Sequence, residues 1–197
     1  GTVISNGLSK WCGAGGWRLG FFVFPDSLSW LSDAMSAVAS ETFTATSAPI
    51  QYAAVDAMND HPDMPDYLDR SRRILATLAN HAFQTLSAAG AELHPAGGGF
   101  YLFPRFENLR ERLAARRIFN GETFCERLLE DTGVAVLPGN CFGRPDNELS
   151  TRLAIVDFDG EAALAAAATE DVDEAFIRKH CSRVTTAIER MADWVNE

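Results

Sequence analysis

Five glycines between two apolar segments set the first limit on how this chain folds. Thr2-Val3-Ile4-Ser5 reads as a short strand, and Phe21-Phe22-Val23-Phe24, closed by Pro25, has the continuous apolar profile of a buried strand. Between them stand Gly7, Gly13, Gly15, Gly16 and Gly20. Backbone with so little side chain turns tightly and lets a ligand come close. The same loop carries Ser9-Lys10 and, eight residues on, Arg18 within Gly16-Trp17-Arg18-Leu19-Gly20.

Those residues suggest a chemistry. Lys10 and Lys179 are the only lysines; every other strongly basic side chain is arginine. A lysine amine attacks an aldehyde only when partly neutral, which needs a shielded pocket or a cationic neighbour. The planar fork of Arg18 suits a phosphate dianion. A loop offering both matches pyridoxal 5'-phosphate, whose aldehyde is held covalently and whose phosphate is held by charge-assisted hydrogen bonds. The plain alternatives are a solvated loop lysine and a structural salt bridge at Arg18.

The rest of the chain alternates helix and strand. Leu28, Leu31, Met35 and Val38 have helical spacing, and Ile50 to Met58 is alanine-rich and helical in character. Asp60 to Pro65 reads as a turn or linker. The clearest helix carries Tyr67, Leu68, Leu75, Leu78, Ala79, Ala82, Phe83 and Leu86 on one stripe, with Gly90 as its stop. Strands are expected over Phe100 to Phe103, Val134 to Leu137 and Arg152 to Val156, with a helix over Gly121 to Asp131. Asp157 and Asp159 read as a turn. A long amphipathic helix closes the chain, burying Phe176, Ile177, Val184, Ile188, Met191 and Val195, with Asp171 and Glu174 as its capping pair. From residue 66 onward this is an α+β layer on a small sheet.

Composition removes several function classes. A net charge of −10 argues against a nucleic-acid or anionic-membrane surface, and Arg110, Arg112, Arg116 and Arg117 read as one solvated helix face. No stretch approaches the ~20 apolar residues of a membrane span. Cys12, Cys125, Cys141 and Cys181 are scattered, as are the histidines, so no metal site is expected and reduced thiols in a cytoplasmic protein are.

The stretch from Ser9 to Gly20 closely resembles the lysine loop of class I/II, fold-type I, pyridoxal-phosphate-dependent aminotransferases. Gly98-Gly99-Phe100-Tyr101-Leu102-Phe103 resembles that family's strand beside the substrate pocket. Gly133-Val134-Ala135-Val136-Leu137-Pro138-Gly139-Asn140-Cys141-Phe142-Gly143 resembles its G-V-x-V-x-P-G-x-x-F-G segment, and Arg152 then stands where an arginine opens a strand. The resemblance implies that Lys10 holds the cofactor aldehyde and later moves the Cα proton. It implies that Arg18 binds the cofactor phosphate and Arg152 the substrate α-carboxylate. Where the family often has Ser or Thr three before the lysine, this chain has Gly7; Ser9 takes over that contact or only shapes the loop. Tyr101 lines the side-chain pocket or packs in the core. For Arg152 the structural alternative is an ion pair with Asp146 or Glu148.

The implied fold is α/β: residues 1–58 as the end of the large cofactor-binding domain, and residues 59–197 as the small C-terminal α+β domain. The segments that would contact the cofactor ring have no counterpart here, so the chain is expected to be a C-terminal fragment, weakly active or inactive alone. The expected reaction moves an amino group between an amino acid and a 2-oxo acid, with the intact enzyme a homodimer. Two other readings share these residues: a lyase or decarboxylase on the same scaffold, and a non-catalytic aminotransferase-like sensor domain of a transcription regulator. The eight-residue spacing from Lys10 to Arg18 favours the enzymes.

Overall fold

A computed structural model describes residues 1–43, 46–59 and 61–197. The chain divides into two compact units, Gly1–Leu68 and Asp69–Glu197.

In the first unit, β1 (Ile4–Gly7) and β2 (Gly20–Val23) pair antiparallel, placing Ile4 opposite Val23 and Gly7 opposite Gly20. Between them lie a four-residue helix, α1 (Leu8–Trp11), and a 3-10 turn at Gly15–Trp17. The expectation of a buried second strand fails. Phe22 and Val23 are about half exposed, as is Ile4, because a two-stranded ribbon leaves its faces open unless another layer is packed on them. Helix α2 (Ser29–Thr42) forms where the spacing placed it but buries none of its residues. Helix α3 (Ala48–Met58) buries only Ala54. The unit's buried cluster is small: Leu8, Cys12, Leu19 and Ala54, with Trp11, Phe21, Ile50 and Tyr67 packed against it.

Helix α4 (Met64–Ala88) begins earlier than the sequence suggests, since Pro65 falls in its first turn, where a missing N–H costs nothing. Asp60, part of the expected turn, lies outside the described residues. The helix ends in a Schellman motif: Gly90 N–H donates to Ser87 O and Ala91 N–H to Leu86 O, both at 3.0 Å. Gly90 carries the required left-handed backbone, φ 97°.

The second unit contains a three-stranded antiparallel sheet. β3 (Tyr101–Leu102) and β4 (Leu137–Pro138) flank β5 (Thr151–Ala154), in the order β3-β5-β4. These strands are shorter than expected. Val134 to Val136 stay outside the ladder, because only Leu137 and Pro138 meet partners, Arg152 and Thr151. Helix α5 (Arg110–Ala115) follows, then α6 (Gly121–Thr132), capped by Asn120, whose side chain accepts from Thr123 N–H at 2.9 Å. Asp159, expected in a turn, caps α7 (Gly160–Ala166) by accepting from Ala162 N–H. Asp157 pairs with Arg183 at 3.2 Å.

The closing helix is broken at Cys181 into α8 (Glu174–His180) and α9 (Ser182–Trp194). The buried stripe Ile177, Cys181, Val184, Ile188, Met191, Val195 nevertheless keeps its three- and four-residue steps across the bend. Its cap is Asp173, which accepts from Phe176 N–H at 2.9 Å; the Asp171–Glu174 pair does not form the cap. The unit's core joins these elements through Phe106, Phe124 and Trp194, with Phe106 stacked on Phe124 and Trp194 edge-on to it. The arginine run is not one solvated face: Arg110 makes a forked pair with Glu107, and Arg116 lies 4.3 Å over Trp194. Among the described residues, no helix is long and apolar enough to cross a membrane, and no group of three His, Cys, Asp or Glu is arranged to hold a metal ion.

Candidate functional site

The candidate residues fall in both units. Ser9 and Lys10 sit on α1, which the glycine loop lets fold directly off the end of β1. Leu8 anchors that helix: its side chain is fully buried, and its N–H donates to Leu19 O at 3.2 Å. Ala14 N–H returns to Leu8 O at 3.1 Å, so the loop closes on itself. Tyr67 adds a tie that the sequence reading missed. Its hydroxyl donates to Cys12 O at 2.6 Å, and burial raises its pKa, which keeps it a neutral donor. The only sequence signal for it was a tyrosine at the start of an apolar stripe, where packing is the ordinary reading.

Arg18 has φ 53° and ψ 42°, the left-handed region that a non-glycine residue enters at a cost of about 1–3 kcal/mol. Its Nη1 donates to Gly15 O at 3.0 Å, which uses one of five N–H groups. Among the described residues no carboxylate pairs with it, so the salt-bridge alternative gains no support. Ser9 and Arg18 line one cavity of about 400 Å³, together with Ser5, Asn6, Gly7 and Gly20. A hydroxyl and a guanidinium over glycine backbone form a donor set that fits a phosphate. Lys10 is exposed, one residue from Ser9, and is not among the residues lining that cavity.

In the second unit, β5 carries Arg152 and β3 carries Tyr101, paired with Ala154. The guanidinium carbon of Arg152 lies 4.5 Å from the Tyr101 ring centroid and 4.0 Å from that of Phe142. Tyr101 is 37% exposed, and its ring also contacts Phe100, 4.6 Å between centroids. The ion-pair alternative for Arg152 fails: Glu148 takes Arg144 at 2.6 Å and faces Arg105 at 3.7 Å, and Asp146 accepts from Asn140 at 3.4 Å. The Arg144 bond, above all, holds the Glu148 carboxyl below the usual carboxylate range. Phe142 was read only as part of a motif; its contact with Arg152 depends on a turn that spacing alone does not reveal.

Comparisons with known proteins place the chain in a family. The model of the family "Aminotransferase class I and II" matches residues 1–168. An aspartate aminotransferase of Geobacillus stearothermophilus is 34% identical over 147 residues, covering 74% of this chain and 35% of that protein. An asparagine–oxo-acid transaminase of Streptococcus mutans is 30% identical, with 74% and 35% covered. The crystal structure of an aromatic aminotransferase from Pyrococcus horikoshii superposes with a TM-score of 0.72 at 25% identity, covering 99% of this chain and 43% of that one. The chain thus spans about a third of the length of its curated relatives. It belongs to the class I and II aminotransferases and has the α/β fold of fold-type I members.

Proposed function

We propose that the protein to which this chain belongs transfers an amino group between an amino acid and a 2-oxo acid with pyridoxal 5'-phosphate. The observation that carries this reading is the cavity shared by Ser9 and Arg18, one residue from Lys10. In this reading Arg18 fixes the phosphate with its four uncommitted N–H groups, and Ser9 adds a hydroxyl. Lys10 holds the cofactor's aldehyde covalently and, once released, moves a proton to and from the substrate Cα. When bound, the cofactor supplies an aldehyde that takes up the substrate's amino group and a ring that draws electrons from its Cα. Arg152 takes the α-carboxylate in the plane of its fork, and that fixes the direction of the Cα–H bond. Tyr101 lines the side-chain pocket beside it.

The reading assigns residues 1–58 to a cofactor-binding domain and residues 59–197 to a small C-terminal domain, within a cytoplasmic homodimer. The test is a half-reaction with the intact protein. An amino acid should convert the bound cofactor to its amine form with one equivalent of 2-oxo acid released. Release of pyruvate with ammonia would contradict transamination.

A further inference from the structure

Arg152 is held unlike the arginines around it. Arg105 faces Glu92 and Glu148, Arg110 is forked onto Glu107, and Arg144 is bound to Glu148. Arg152 has no carboxylate partner among the described residues and rests on two rings, within cation–π range of both. Phe142 is the nearer, and it is 40% exposed, so it is spent on a cation more than on the core.

The position of Phe142 is fixed by backbone. It ends the 3-10 turn Gly139–Phe142, whose first residue donates its N–H to Ser150 O at 2.8 Å. A Cβ at Gly139 would collide with the Ser150 hydroxyl and crowd the Ser150 Cβ at 3.2 Å, so a larger residue would have to displace the Ser150 side chain for the turn to sit this close to the segment leading into β5. Phe103 then meets the Phe142 ring edge-on, 6.1 Å between centroids at 87°. The turn, Phe103 and Arg152 therefore locate the ring from three sides. A ring 4.0 Å from the guanidinium carbon takes up none of its N–H groups, and those N–H groups match a carboxylate in two parallel bonds.

From these contacts we propose that Phe142 is a positioning residue, holding the Arg152 guanidinium so that its N–H edge receives a carboxylate. The proposal rests on the reading of Arg152 as the carboxylate site. Long arginine side chains lose rotamer freedom when they bind; a side chain already stacked has less to lose. The ring thus contributes affinity without touching the ligand.

The test uses the full chain labelled with 15N-arginine, with the Arg152 Nε–H signal assigned by its loss in Arg152→Lys. In the native chain that signal should show a ring-current displacement, and maleate should shift it further in a saturable way. Phe142→Leu should abolish the ring displacement and weaken maleate binding by about fivefold, within the range of a cation–π contact. Phe142→Tyr should restore both, and the melting temperatures of the variants show whether each chain is folded. If maleate shifts Arg152 with equal affinity in native and Phe142→Leu chains, the positioning role is overturned while the carboxylate reading stands. If the native signal carries the ring displacement but ignores maleate, the carboxylate reading fails and takes the proposal with it.

Discussion

At the scale of single residues, spacing along the chain said more than surroundings could. Lys10 and Arg18 stand out as candidates because they lie eight positions apart on one glycine-rich loop, and the structure places Ser9, next to Lys10, in one cavity with Arg18. Tyr67 does not, because it acts through Cys12 O, 55 positions away, and Phe142 does not, because its contact with Arg152 depends on the turn that carries it back to β5. Arg18 should matter for binding before it matters for turnover. Arg18→Ala is expected to weaken pyridoxal 5'-phosphate binding about 10- to 100-fold, as loss of charge-assisted hydrogen bonds worth roughly 1.5–3 kcal/mol requires. Cofactor absorbance titration of the intact protein measures this, and an unchanged affinity would remove Arg18 from the phosphate site. Glu107 gives a second residue-level expectation. Its carboxyl is held below the ordinary 4.5, first by the Arg110 hydrogen bond and also by Leu149 N–H. A depressed folded-state pKa contributes stability present above the unfolded value and lost as pH falls through the folded one. Melting temperature should therefore drop as pH falls below about 4.5, and less steeply in Glu107→Gln.

At the scale of elements, helical stripes were read correctly and their ends less so. The α8–α9 stripe survives a break because burial follows three- and four-residue steps and tolerates a bend at one residue. The cap was misplaced because Asp171 and Asp173 are both good cap residues, and the choice depends on where the chain enters the helix. Asp173→Ala should cost about 1 kcal/mol in denaturant unfolding and Asp171→Ala less than about 0.5. The opposite order would return the cap to Asp171. Short strands were overestimated for a different reason. An apolar run such as Val134 to Leu137 need not be a strand: of the four only Val134 is buried, and a ladder needs a partner at each step, which only Leu137 and Pro138 find.

At the scale of the whole molecule, the α/β class was legible from alternating helix and strand signals, while the uneven burial was not. The second unit holds a core of Phe106, Phe124, Trp194 and many aliphatic residues; the first has, among the described residues, four buried apolar residues and a helix, α2, that buries none. Apolar periodicity announces a face to be covered but does not say that this chain covers it. Hydrogen exchange should reflect the difference: amides of α2 and α3 exchange by local opening, while those of α6 and α9 approach the protection of global unfolding. Uniform protection across both units would show the first to be better supported than its buried cluster suggests.

The assignment of cofactor chemistry to the lysine loop is open to one decisive measurement, because this chain has two lysines, Lys10 on that loop and Lys179 far along the sequence from it. Borohydride reduction of the intact protein with pyridoxal 5'-phosphate, followed by peptide mapping, should place the label on Lys10. Label on Lys179, or none on either lysine, would contradict it.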